Sequence, residues 1–176
     1  MNSPNQALQR TAPGGGGSPA IGACFRPARS LNLGTVAHMS ATRLLEHRIH
    51  VTAYGNDLFQ ACGIEFAKTT EMQRQVSGAF LFGVAYAHGW VHQLAPSDVH
   101  ALVITILMDV LHYSAEQAGA FSSQLVRATS AGPNDTMNAI IHRGIDGHRQ
   151  LTSGEHNALR QNLLGIFQTL GQPYVG

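Results

Sequence analysis

Charged residues are scarce in this chain, in which Asp, Glu, Lys and Arg make up 12% of 176 residues, against roughly 25% in ordinary soluble domains. The two signs nearly cancel, with 11 Lys and Arg against 10 Asp and Glu and a formal net charge of +1. Proteins that bind nucleic acid usually carry a basic face or stripe. The charge balance therefore argues against a nucleic-acid partner.

Cysteine and long apolar runs are also lacking. Two cysteines, Cys24 and Cys62, exclude a disulfide-stapled scaffold and are typical of free thiols in a reducing compartment. The longest apolar windows, 76–87 and 101–108, are shorter than the ~20 residues that a membrane-spanning helix needs. Residues 1–30 contain no apolar segment of a secretory signal. We therefore expect a cytoplasmic protein with no membrane partner.

The first 38 residues differ in composition from the rest. They hold six of the 19 glycines, four of the seven prolines and three arginines, but no acidic residue. Such a segment cannot bury enough apolar surface to offset its ordering entropy. We expect a disordered head over 1–38 and a single helical domain over 39–176. That domain keeps 8 basic and 10 acidic residues, a net charge of −2.

Part of this head has a more specific interpretation. Residues 5–13 (NQALQRTAP) resemble the translated repeats beside gene cassettes of bacterial integrons. Met39 is then the more natural start of the protein, and the head has no function of its own. A basic targeting arm is the alternative, because acid-free segments with Arg and Ser occur in transit peptides.

From residue 39 onward the apolar pattern is helical. Apolar residues recur at three- and four-residue steps, and no alternating strand pattern is longer than 49–51. Two stretches, 70–93 and 97–112, are apolar around most of a helix surface and should be central. The short loops favour antiparallel neighbours. The sequence predicts an all-α fold, a compact bundle of six or seven mostly antiparallel helices around two central apolar helices.

Start signals place the individual helices. The first two are predicted over 42–54 and 57–68, the second capped by Asn56. Capping boxes are predicted at Ser114 and at Thr152, and N-caps at Ser97 and at Asp135 or Thr136. Five glycines fall inside these predicted helices, where each costs about 1 kcal/mol against Ala; they are Gly78, Gly83, Gly89, Gly144 and Gly147. We expect a neighbour to pack closely against their backbone.

Ten histidines raise the question of a metal site. His88 and His92 lie four residues apart, where two imidazoles on one helix face can reach one ion. Asp109 and His112 lie three apart on another helix and could complete the set. No H-E-x-x-H pattern and no cysteine pair supports it. The favoured interpretation has no metal and no cofactor, with His88 and His92 at a helix end facing solvent or bonded to backbone.

The densest polar motif is the segment 140–149. His142, Asp146 and Arg149 share one helix face there. A His–Asp pair can act as a general base, but no nucleophile motif, phosphate loop or carboxylate pair accompanies it. The alternatives left open are internal packing, with an exposed pair worth well under about 1 kcal/mol, and a surface for a partner.

Four segments resemble a bacterial protein family within 75–149. They are 80–84 (FLFGV), 98–102 (DVHAL), 113–118 (YSAEQA) and 137–148 (MNAIIHRGIDGH), the last being the most specific. The family is the immunity proteins numbered forty-eight among those of polymorphic toxin systems. The resemblance implies a non-enzymatic protein that binds and occludes one cognate toxin. It places the contact at His142, Arg143, Asp146 and His148.

Two other functions remain open at this point. One is a helical metal-dependent enzyme that uses His88, His92, Asp109 and His112. The other is a cassette-encoded domain that binds a small molecule in an apolar pocket. Immunity proteins against nucleases are often strongly acidic, and a net charge of −2 argues against a basic nuclease as the target. The low charge also predicts a covered surface, in a homodimer or against the toxin.

Overall fold

The computed structural model describes residues 41–131 and 135–171. Within these ranges the chain forms six α-helices and one short 3-10 helix, and no strand. The α-helices are α1 (Ala41–Cys62), α2 (Glu71–Val91), α3 (Pro96–Asp109), α4 (Ala115–Ala128), α5 (Thr136–Thr152) and α6 (His156–Thr169), with the 3-10 helix at Phe66–Lys68. The predicted all-α fold is confirmed. The predicted head, 1–38, and Met39 lie outside the described residues.

Helix α2 lies at the centre of the bundle. Thr70 begins it with a capping box, in which its side chain accepts from the backbone of Gln73. Every residue from Val76 to Gly89 is buried. Helix α5 packs along α2, and α3 packs against α1, α2 and α4. The core therefore forms around α2, with a large apolar contribution from α3, as the hydrophobic pattern predicts.

The interior glycines mark the closest helix contacts, as expected. A Cβ on Gly83 would overlap the carbonyl oxygen of Ile141 and lie 3.0 Å from the Cα of Gly144. A Cβ on Gly144 would overlap the carbonyl oxygen of Phe80. Helices α2 and α5 therefore cross backbone to backbone, which only glycine permits at these two positions. At Gly144 the close neighbour is α2 of the same chain.

The predicted break at Asn56 is wrong, because α1 runs unbroken through it. Gly55 lies in the middle of α1 and faces Val110, whose Cγ2 would be 2.8 Å from a Cβ at this position. The glycine therefore admits a neighbouring side chain and does not end the helix. The first half of the second predicted helix, 57–62, is the end of α1, and its last three residues form the 3-10 helix.

Two predicted caps are also wrong. Ala95 precedes α3, with Pro96 at its first position, so the helix begins before Ser97; the fixed φ of proline suits that position. Thr152 belongs to the end of α5, where its hydroxyl donates to the carbonyls of His148 and Arg149, both at 3.0 Å. It therefore does not cap α6, which follows Glu155 without a side-chain cap. The caps at Ser114 and Asp135 are confirmed.

Candidate functional site

The four residues expected to contact a partner all lie on α5, but in different surroundings. His142 and Asp146 are exposed, and both line one surface cavity. Arg143 is exposed as well but bonds to α6. His148 is only 7% exposed and lies inside the bundle. The structure thus brings His142, Asp146 and the buried His148 to one cavity, whereas Arg143 is bonded to α6.

Arg143 holds α5 against α6. Its Nε donates to Oδ1 of Asn162 at 2.7 Å, and its Nη2 donates to the Asn162 carbonyl at 3.0 Å. The Asn162 amide in turn donates to the carbonyl of Arg143 at 3.1 Å and to Oε1 of Gln150 at 3.0 Å. The guanidinium therefore has a clear structural role.

His142 and Asp146 face the last turn of α2. With Trp90, Val91 and neighbouring residues they line a cavity of about 340 Å³ between α2 and α5. Trp90 is 57% exposed and Val91 62% exposed, unusually open for large apolar side chains in this protein. We call the four residues Trp90, Val91, His142 and Asp146 the Trp90 face.

A second cavity lies on the other side of Trp90. It has a volume of about 430 Å³ and is lined mostly by apolar groups, among them Tyr86, Leu94, Pro96 and Val99. Trp90 therefore stands between two depressions of the surface. Trp90 is not among the predicted site residues. Its place at the end of a strongly apolar helix can be read from the sequence, but its exposure cannot, because that depends on the path of α5.

The carboxylate of Asp146 is not neutralised within the described part of the chain. Asp146 makes no ion pair there, and no hydrogen bond joins it to His142. Arg149, expected on the same helix face, pairs instead with Glu155 at 3.2 Å. His142 and Asp146 therefore do not form a general-base pair. The structure instead places the exposed carboxylate of Asp146 beside the exposed indole of Trp90.

The structure forms a histidine cluster that differs from the predicted metal set. His88 and His92 of that set lie together, and His47 of α1 joins them. Asp109 instead pairs with Arg48 at 2.7 Å, and the ring of His112 stacks edge-on against Phe66 at 4.8 Å. In the described ranges, His47, His88 and His92 are the one group with metal-ligand spacing. His88 is buried, contrary to the expectation that it faces solvent, while His92 is exposed.

Burial disfavours the protonated form of the buried imidazoles of this area. Desolvation and the neighbouring His92 and His47 lower the pKa of His88 to about 3. Desolvation also lowers the pKa of His47 and of His148, each beside His92. Away from this cluster, burial raises the pKa of the Cys62 thiol to about 11, so that this cysteine is a packed apolar group and no nucleophile.

In the helices described, none is both long enough and apolar enough to span a membrane. Among curated proteins and among solved structures nothing matches the chain. One family model matches residues 39–171, which cover more than half of the chain and all the described helices; its description is immunity protein 48. The chain therefore belongs to the immunity protein 48 family.

Proposed function

We propose that this protein is a non-enzymatic immunity protein that binds a cognate bacterial toxin through the Trp90 face and occludes it. Family membership supports the general role. The observation that carries the choice of surface is the exposed pair Trp90 and Val91 beside an unpaired carboxylate, Asp146. The toxin is the partner, and inhibition follows from coverage of its active site or an adjacent surface.

The apolar part of the Trp90 face can supply the binding energy. Tryptophan is enriched among the few residues that dominate protein interfaces, where truncation to Ala costs about 2 kcal/mol or more. Trp90 loses most of its remaining exposure if a partner covers it, and the cavities on its two sides, of about 340 and 430 Å³, can accept protruding partner side chains. The surface is thus shaped for interlocking contact.

The polar part can supply specificity. Asp146 and His142 border the apolar centre, and charged groups at such borders fix orientation and exclude wrong partners. A carboxylate that has no partner among the described residues fits a basic or hydrogen-bonding group on the toxin. Of the other two residues that the family resemblance places at the contact, His148 is buried in the wall of the same cavity, and Arg143 bonds to Asn162 and holds α5 against α6.

Co-expression with the toxin domain encoded next to this gene tests the proposal. The unchanged protein should restore growth, while Trp90→Ala should weaken toxin binding by about 30-fold or more, the equivalent of 2 kcal/mol. Asp146→Arg should weaken it further, because the charge at the border is reversed. Both variants should keep the melting temperature of the parent, because both side chains are exposed.

Met72→Ala is the matched control. Met72 is a large exposed apolar residue at the opposite end of the same helix, so its loss should leave toxin binding unchanged. Equal protection by the parent and by a Trp90→Ala/Asp146→Arg double variant would overturn the choice of surface. Failure of the parent to bind or protect against the neighbouring toxin would overturn the function. A dimer that Trp90→Ala disrupts, without toxin binding, would assign this face to a second copy of the chain and count against the proposal.

The apolar cavity beside Trp90 favours one other candidate, a small-molecule-binding domain. Its volume of about 430 Å³ is within the range of ligand pockets, about 300–1,000 Å³. Hydrophobic ligands would then raise the melting temperature, and Trp90→Ala would abolish the rise. No rise with such ligands, together with toxin binding, decides for the immunity function.

We further propose that residues 1–38 take no part in toxin binding. The family match begins at residue 39, and the composition of the segment before it is that of a low-complexity head. Its resemblance to translated integron-cassette repeats supports the same view.

A further inference from the structure

Three imidazoles from two helices converge at the end of α2. His88 and His92 lie one turn apart on α2, and His47 reaches them from α1. One ring nitrogen from each lies within 4.8 Å of the other two. We call these residues the histidine trio. They have no role in the Trp90 face as proposed, so the inference below is independent of toxin binding.

The spacing of the trio is near that of a metal site. With Zn–N bonds of 2.0–2.1 Å, the nitrogens of a tetrahedral site lie about 3.3 Å apart. Nδ1 of His47 and Nε2 of His88 are 2.9 Å apart, and the rings of His88 and His92 have centroids 4.3 Å apart. Small rotations of the three side chains would therefore place one nitrogen from each around a single ion.

The cluster also contains buried ring nitrogens that the protein leaves unused. Nδ1 of His88 and Nε2 of His148 are buried and have no hydrogen-bond partner within the described residues. The His148 ring lies 5.8 Å from the His88 ring, and His148 is itself only 7% exposed. Buried polar atoms are normally satisfied by protein, water or an ion. Here two such nitrogens, of His88 and His148, lie in the same cluster as the imidazoles that can serve as metal ligands.

We propose that His47, His88 and His92 bind a divalent transition-metal ion of the zinc class, with a fourth position open to solvent beside the exposed His92. Imidazole nitrogen is a preferred ligand of zinc, cobalt, nickel and copper, whereas magnesium and calcium require oxygen ligands. No carboxylate belongs to the trio. The site should therefore select transition metals and reject the hard cations.

Burial of two of the three rings favours metal binding. Only an unprotonated ring nitrogen can coordinate a metal, and burial lowers the pKa of both His88 and His47 and so favours their neutral forms. When the ion enters, metal bonds replace the hydrogen bond between Nδ1 of His47 and Nε2 of His88. The ring that donated this hydrogen bond then carries its proton on its other nitrogen, so that no net proton is lost. A bound ion would cross-link α1 to the last turn of α2.

Zinc binding by the full-length, untagged protein tests this inference. After treatment with EDTA and removal of the chelator, calorimetric titration with Zn²⁺ should show one equivalent bound, and the melting temperature should rise. Mg²⁺ at the same concentration should give neither signal. Co²⁺ in place of Zn²⁺ should give the visible absorption of a low-coordinate site.

His92→Ala is the decisive variant, since the side chain is exposed and its loss leaves the core intact. It should weaken zinc binding by at least about 100-fold, since even outer-shell partners of a metal are worth 10–100-fold. His156→Ala removes an exposed histidine of α6, outside the trio, and should bind zinc like the parent. No binding by the parent at millimolar Zn²⁺, or equal binding by His92→Ala, would overturn the proposal.

Discussion

Gly144 and Gly83 are the two residues on which the contact between α2 and α5 depends. At each, an added Cβ would meet a backbone carbonyl oxygen of the other helix, which cannot rotate away as a side chain can. Gly144→Ala should therefore lower the free energy of unfolding by about 3 kcal/mol, the upper end of the cost of overpacking. Urea unfolding followed by circular dichroism measures the change.

Gly119→Ala provides the matched control for that substitution. Gly119 also lies inside a helix, α4, but nothing lies within 4 Å of the position of its Cβ. Here Ala should stabilise the protein by up to about 1 kcal/mol through its better helix propensity. If Gly144→Ala unfolded at the same urea concentration as Gly119→Ala, the close crossing would be disproved.

Single residues differ in how far the sequence reveals their role. A glycine inside an apolar helix is costly, so a compensating close contact at Gly83 and Gly144 is predictable from local pattern alone. His47 is not predictable in this way, because it lies 41 positions before its partner His88 and nothing in its own segment indicates that partner. Trp90 is similar, since the exposure of an aromatic residue depends on the path of the neighbouring α5.

At the scale of elements, buried histidines join α1, α2 and α5. His88 of α2 faces His47 and His50 of α1, His92 of its own helix and His148 of α5, and Tyr54 packs between the rings. The neighbouring histidines oppose a positive charge on His88, and the packing around its ring excludes the water that would solvate such a charge. Its pKa is about 3 in the folded protein against 6.5 for an ordinary histidine.

This arrangement predicts instability in acid. Between pH 6.5 and pH 3 the unfolded chain binds a proton at this position that the folded chain does not, so stability is retained above pH 6.5 and falls as the pH is lowered. Measured in EDTA, the free energy of unfolding should fall by about 1 kcal/mol per pH unit from pH 6.5 to 5 on account of His88. His88→Gln should flatten this dependence, while His156→Ala should preserve it. An unchanged slope in His88→Gln would refute the explanation.

The ends of elements were predictable where a local cap decides them. Ser114 and Asp135 accept backbone N–H groups of the helices that follow, as their sequence context indicates. Asn56 and Thr152 occur in equally suitable contexts but do not begin helices. Packing decides both cases, because Val110 occupies the space at Gly55 and the hydroxyl of Thr152 is bonded to the end of α5. Tertiary contact overrides the local signal at these positions.

At the scale of the whole molecule, the low charge of 12% can be related to particular surfaces. Exposed apolar side chains, among them Leu45, Ile49, Trp90 and Val91, occur on α1 and on the last turn of α2. Trp90 and Val91 of α2 adjoin the two cavities and lie near Asp146. This combination of cavities and a carboxylate distinguishes them from exposed apolar residues that occur singly. The composition indicates a covered surface, but only the fold shows which residues form it.

The boundary of the folded unit leads to the last prediction. A chain that begins at Met39 should unfold within about 2 °C of the full-length protein, no more than the 2–4 °C by which 1 kcal/mol shifts the melting temperature of a domain of this size, and should bind the toxin equally well. The buried core that the structure describes consists of residues from Val51 to Phe167, and the family match starts at 39. A chain that begins at Thr52 is the control, because it also removes His47 and the fully buried Val51 of α1. It should lose several °C in melting temperature, and a comparable loss on removal of 1–38 alone would show that the head is part of the domain.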